Sequence, residues 1–156
     1  MRKRESVWDY PRPPRLEGSD EHIRVVFGGL VIAETQSSIR ILETSHPPVY
    51  YIPPKDIRME FLTKSGPTTF CEWKGTASYI AIHTEARTTE RAGWFYPHPQ
   101  SPYEAITNYV AFYPSLMDAC YVDDELVLPQ PGGFYGGWIT SKIEGPFKGG
   151  PGTAGW

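Results

Sequence analysis

Short alternating apolar runs, broken by turn residues, dominate this chain. The clearest spans His22 to Glu34. Ile23-Arg24-Val25-Val26-Phe27 is strand-like, Gly28-Gly29 can take the positive φ of a tight turn, and Leu30-Val31-Ile32-Ala33 returns. Ile39-Arg40-Ile41-Leu42-Glu43 predicts a further strand, with Ile39 and Ile41 on one face and Arg40 on the other. Val49-Tyr50-Tyr51-Ile52 is a strand boxed between Pro47-Pro48 and Pro53-Pro54, which confine it to short pairing or an edge. Asp56 to Leu62 places Ile57 and Phe61 on one helical face, which favours a short helix, but the segment alternates equally well as a strand, and the choice stays open.

The second half repeats the pattern. Thr68-Thr69-Phe70-Cys71-Glu72-Trp73 predicts a strand, Lys74-Gly75 a turn, and Thr76 to Thr84 a returning strand with Tyr79, Ala81 and His83 opposite Ser78, Ile80 and Ile82. Gly93-Trp94-Phe95-Tyr96 is a strand stopped by Pro97 and Pro99. Ser101-Pro102-Tyr103-Glu104 fits a capping box with proline at the first helical position, so a short helix is expected to about Asn108. Tyr109-Val110-Ala111-Phe112-Tyr113 is a strand ended by Pro114. Ala119 to Val122, Asp123-Asp124 and Glu125 to Leu128 read as a closing hairpin. Strands of this length with frequent turns give a mainly β domain.

The ends differ in composition. Residues 1–20 hold Pro11, Pro13 and Pro14, charges of both signs, and Trp8 and Tyr10; they read as an extended N-terminal arm whose rings pack on the body. Residues 21–128 form the single β domain. Residues 129–156 hold nine Gly and four Pro, which excludes regular elements. Phe134, Tyr135, Trp138, Phe147 and Trp156 nevertheless supply anchors for an irregular tail packed on the domain.

The 156 residues carry 15 Lys+Arg against 18 Asp+Glu, a balance that removes the electrostatic footprint of a nucleic-acid binder. No apolar run reaches the length of a membrane helix, and the basic start Met1-Arg2-Lys3-Arg4-Glu5 has no signal-type apolar region behind it. The expectation is a cytoplasmic protein with no membrane or nucleic-acid partner, its oligomeric state open and a monomer favoured. Cys71 and Cys120 form no C-x-x-C pair, and His22, His46, His83 and His98 are scattered, so neither a metal nor a cofactor is expected.

The richest chemical feature is aromatic. Trp73, Tyr79, Trp94, Tyr96, Tyr109 and Tyr113 sit at or beside strand ends, and alternation puts Trp94 with Tyr96, and Tyr109 with Ala111 and Tyr113, on common surfaces. Such rings can wall a pocket for a planar or cationic small molecule, or fill the core with hydroxyls at its margin. Trp73, Tyr79, Trp94, Tyr96 and Tyr113 are the candidate walls, with Arg40, Cys71 and Lys74 as polar contacts. Cys71 and Lys74 flank one turn, so an enzyme using Cys71 as nucleophile or redox thiol beside an ammonium is the alternative. A protein-interaction module acting through the arm or tail is the third reading. Asp123-Asp124-Glu125 reads as a polar hairpin turn, without the Gly-Ser phosphate turn that a metal-dependent nucleotidyl transferase needs nearby. No phosphate loop, dinucleotide fingerprint, G-x-S-x-G elbow or H-E-x-x-H motif is present.

Leu42 to Pro54, Cys71 to Tyr79 and Tyr109 to Pro114 resemble the bacterial family known as domain of unknown function 427. Gly132 to Trp138 and Gly145 to Gly152 resemble its longer members, so the likeness runs from about Val25 to the end. The resemblance implies a β-tent (Mss4-like) arrangement: two antiparallel sheets meeting at an angle, with a pocket on the open side. Relatives in that group often pin the sheets with zinc through two C-x-x-C pairs, which this chain lacks. Some hold ligands in an aromatic cage and others reduce oxidised methionine. The family has also carried a nucleotidyl-transferase label, and it offers no established catalytic residue to carry over.

Overall fold

A computed structural model describes residues 4–132 and 135–156. The expected tail anchor Phe134 lies outside the described residues. In chain order the strands are β1 (Glu5–Ser6), β2 (Arg15–Ser19), β3 (Ile23–Phe27), β4 (Leu30–Thr35), β5 (Ser38–Leu42), β6 (Val49–Tyr51), β7 (Leu62–Lys64) and β8 (Thr69–Cys71). They continue as β9 (Gly75–His83), β10 (Thr88–Phe95), β11 (Val110–Phe112), β12 (Ala119–Val122), β13 (Glu125–Leu126), β14 (Leu128–Pro129), β15 (Trp138–Ile139) and β16 (Ile143–Glu144). The chain is mainly β, as its alternation predicts. No helix among the described residues is long and apolar enough to cross a membrane.

Three antiparallel sheets build the body, in the orders β13-β12-β3-β4, β2-β5-β6 and β11-β10-β9-β7, with β8 also on β9. The second and third meet through paired backbone hydrogen bonds between Ile52 and Val110, each 2.9 Å. Alternation then sorts the side chains. Ile80 and Ile82 of β9, Val110 and Phe112 of β11, and Tyr50 and Ile52 turn one way, onto Ile23, Val25, Phe27 and Ile32 of β3 and β4. Their neighbours Ala77, Tyr79, Trp94, Ala111, Tyr113 and Tyr51 turn the other way and form a second cluster. Both faces are thus buried, so a one-residue slip in register would exchange isoleucines for tyrosines on each. Gly93 lets β10 and β11 approach, since a Cβ there would lie 2.4 Å from the Ala111 carbonyl oxygen.

The structure corrects several boundaries. Asp56 to Leu62 is not one helix. Pro54–Asp56 and Met59–Phe61 are separate 3-10 turns, because Ile57 between them is drawn into a bridge with Ala33 and into the core. The capping box at Ser101 does not form: a 3-10 run starts at Ser101 itself, and Gln100 before it makes no side-chain cap. The turn between β8 and β9 is Glu72 to Lys74, since Gly75, at φ 109°, already pairs with Cys71.

The ends are bound to the body and to each other. Arg15–Ser19, within the arm segment, is β2 and pairs along β5. Tyr10 is buried, whereas Trp8 is half exposed and packs on the tail: its indole N–H donates to the Pro146 carbonyl at 2.8 Å, and its ring meets Trp156 edge-on at 5.3 Å. The tail carries more order than its glycines and prolines predict. β14 pairs with β15, and β16 lies parallel to β1.

Candidate functional site

The second cluster surrounds a cavity of about 310 Å³. Its wall is built from β6, β9 and β10 and from the residue that follows β11. Trp94 of β10 lies between Tyr51 of β6 and Tyr113 just past β11, with ring centroids 6.3 and 4.8 Å away. Tyr96 sits 6.4 Å from Tyr51. Tyr79 of β9 and Ala77 complete this side.

The polar atoms of these rings are largely satisfied within the wall. The Trp94 indole N–H donates to the Tyr51 hydroxyl at 3.0 Å, and Tyr51 is also hydrogen-bonded to Tyr96. Tyr79 shares a hydrogen bond of 2.9 Å with Thr69 and another with Tyr113. Burial raises the pKa of the Tyr51, Tyr96 and Tyr113 hydroxyls, so these groups stay protonated. The wall is therefore aromatic, neutral and internally bonded.

The mouth is polar. Phe70, Cys71, Glu72, Trp73 and Lys74, from β8 and its turn, line one part of it. Cys71, Trp73 and Lys74 are half-buried, while Phe70 is 71% exposed. The tail lines another part with Gln130, Tyr135, Gly136 and Lys148. Gly136 is required there, because a Cβ would stand 2.4 Å from the Trp94 ring. Gln130 fastens the segment by donating to the Lys148 carbonyl at 2.7 Å and accepting from the Gly137 N–H at 3.1 Å.

Glu43 and His46 close the rim. Arg12 donates to Glu43 at 3.3 Å. His46 Nδ1 lies 2.9 Å from the Thr44 carbonyl oxygen, so Nδ1 carries the proton in the neutral ring. Burial lowers the His46 pKa against the opposing pull of Glu43, with Lys148 and Arg12 adding to the lowering. The unfolded chain thus takes up a proton near the ordinary value of 6.5 while the folded one resists. This contribution to stability is present above pH 6.5 and lost as the pH falls below it. Urea unfolding at pH 8 and pH 5.5 should therefore show a smaller drop in stability for His46→Gln than for the parent. Equal drops in the two proteins would mean that His46 does not carry this dependence.

Of the residues predicted from sequence, Cys71, Trp73, Lys74, Tyr79, Trp94, Tyr96 and Tyr113 all line the cavity. Arg40 does not. It lies on the opposite face of β5 from Ile41, 3% exposed, and donates to Glu17 and Glu5. Tyr51 and Lys148 line the cavity without having been singled out, and His46 lines it together with Glu43. Cys120 is in the other core, where burial raises the pKa of its thiol. Gly18 and Ser19 belong to β2, and Asp123 is held by the His22 N–H at 2.9 Å and by Lys142 at 2.8 Å, as a polar turn residue would be. Among the described residues no three His, Cys, Asp or Glu side chains are grouped as metal ligands.

The family described as a domain of unknown function (DUF427) matches residues 15–123. The chain belongs to that family. No curated protein matches it. The matched span of this DUF427 chain contains the aromatic wall and the β8–β9 turn, and stops before the tail residues that cover part of the mouth.

Proposed function

We propose that this DUF427 chain binds a small molecule in the aromatic cavity, its sheets arranged as in the β-tent (Mss4-like) group. One observation carries the reading. Tyr51, Tyr79, Trp94, Tyr96 and Tyr113 are nearly buried yet border a cavity of about 310 Å³ rather than closing over it. That volume lies at the lower end of the roughly 300–1,000 Å³ of small-molecule sites, so the ligand is of one or two rings. Ring faces give such a ligand stacking surface, and the mouth supplies charge and hydrogen bonds.

The test is a thermal-shift screen of metabolites that includes methyl sulfoxides, nucleotides and quaternary amines. Binding raises the melting temperature by mass action, which reveals even weak ligands at high concentration. Each hit is then measured by calorimetry against Trp94→Phe and Trp73→Ala. Trp73→Ala removes one stacking partner and is expected to weaken binding about tenfold, equivalent to about 1.4 kcal/mol, while Trp94→Phe keeps a smaller ring and should weaken it less. No hits, or hits unaffected by both substitutions, would overturn the reading.

A second reading rests on Cys71, a half-buried thiol lining the same cavity as Lys74. On that reading Cys71 is a nucleophile or redox thiol. Folded protein should then lose Cys71 to iodoacetamide well before Cys120, and faster than an unactivated thiol reacts. Labelling at the unactivated rate would remove it.

A further inference from the structure

We propose that the cavity takes a ligand with a flat apolar body and an anionic head, the head held at the mouth by Lys74 and Lys148. The inference rests on the small-molecule reading above and adds the sign of the ligand's charge.

The wall cannot choose between charged ligands by hydrogen bonding. Its Trp94 N–H and the hydroxyls of Tyr51 and Tyr79 are already engaged with one another or with Thr69. Polar selection therefore falls to the mouth. Four ionic side chains line it: Glu43, Glu72, Lys74 and Lys148. Glu43 is bound by Arg12 at 3.3 Å. Glu72 is exposed, where water screens its charge. Lys74 and Lys148 are half-buried, and neither forms an ion pair among the described residues. The Lys148 ammonium instead lies 5.6 Å from the Tyr135 ring centroid. A half-buried ammonium without a counter-ion carries a charge that no carboxylate balances. An arriving carboxylate or phosphate restores the balance through charge-assisted hydrogen bonds.

An aromatic wall would by itself favour a cation. Here that role is partly filled by the protein. Arg91 lies 4.1 Å from the Tyr79 ring centroid, and Lys148 faces Tyr135. A cationic ligand would meet two ammonium groups that form no ion pair among the described residues, while an anionic one would be drawn to them. The exposed Phe70 at the same mouth gives an apolar surface for the part of the body that does not enter.

The experiment uses one ring system with three charges: indole-3-propionate, indole-3-propionamide and tryptamine, by calorimetry on the full chain. The acid is expected to bind at least tenfold tighter than the amide, with tryptamine weakest. Lys74→Met and Lys148→Met should each cost the acid several-fold more affinity than they cost the amide, and circular dichroism and melting temperature should show that both variants stay folded. An amide or amine bound as tightly as the acid would overturn the inference. So would an acid preference that survives in the double variant. If none of the three binds while the wider screen yields hits sensitive to Trp73→Ala, the charge assignment falls and the cavity reading stands. If the screen is empty too, both fall.

Discussion

Trp138→Ala should lower the stability of the folded chain by about 3–5 kcal/mol, the range for truncating a fully buried large aromatic side chain. Trp138 belongs to the tail, yet it is 1% exposed and sits in the main core. Its ring lies 5.0 Å from that of Tyr50. Its indole N–H donates to the Phe112 carbonyl at 3.2 Å, and its backbone N–H donates to Pro48 at 2.8 Å. Truncation leaves a cavity between β6 and β11 and strips the Phe112 carbonyl of its indole donor. Trp138→Phe separates the two effects. It keeps most of the volume and should lose about 1–2 kcal/mol, chiefly for the missing N–H.

The same substitution reaches the candidate site. Gly136 and Tyr135 cover part of the mouth immediately before Trp138 in the chain. A loosened Trp138 should therefore weaken binding of any cavity ligand and open the chain beyond Pro129 to protease. Urea unfolding with the midpoint and slope fitted together measures the first effect. A loss below about 1 kcal/mol for Trp138→Ala, against the several expected of a buried Trp, would mean that the tail is not part of the core.

Period-two alternation explains why so much of the site was legible. β9, β10 and β11 carry large apolar side chains on both faces, and only one alternation puts Trp94, Tyr96, Tyr79 and Tyr113 together. Arg40 shows the limit of proximity in sequence. The same alternation puts it on the face away from Ile39 and Ile41, and that geometry, not its nearness to Glu43, decides where it goes. Tyr51 was hidden by its neighbour: with Tyr50 beside it, nothing local distinguishes the ring that enters the cavity from the ring that enters the core. Lys148 and the arm–tail contacts were out of reach for another reason. Trp8 and Pro146 are 138 residues apart, and a two-residue parallel pair such as β1 with β16 leaves no periodic signal. The β-rich class and the wall followed from local pattern, whereas the cover of the cavity depends on contacts between the two ends of the chain.

Arg40→Met is expected to destabilise the fold by about 2–4 kcal/mol, somewhat under the 3–5 kcal/mol typical of a broken buried ion pair. The discount has a structural reason. The Arg40 side chain is 4% exposed, but its partners Glu5 and Glu17 are 37% and 34% exposed, so water takes back part of what they lose. Arg40 ties three segments together: β5, on which it stands, Glu17 on β2, and Glu5 on β1 at the start of the arm. Glu5 also accepts from the Tyr10 hydroxyl at 2.7 Å. Removing the guanidinium thus takes from Glu5 and Glu17 the cation they share, and among the described residues leaves Glu17 only Arg15 at 3.8 Å. If that residual charge dominates the loss, Arg40→Met combined with Glu5→Gln and Glu17→Gln should recover more than half of it, since a neutral cluster of similar volume no longer strands a charge. If the loss came from packing alone, the triple variant would be no more stable than the single one. Binding in the cavity supplies the second readout. Arg40 faces away from that cavity, so ligand affinity should be unchanged in every variant of this series that remains folded.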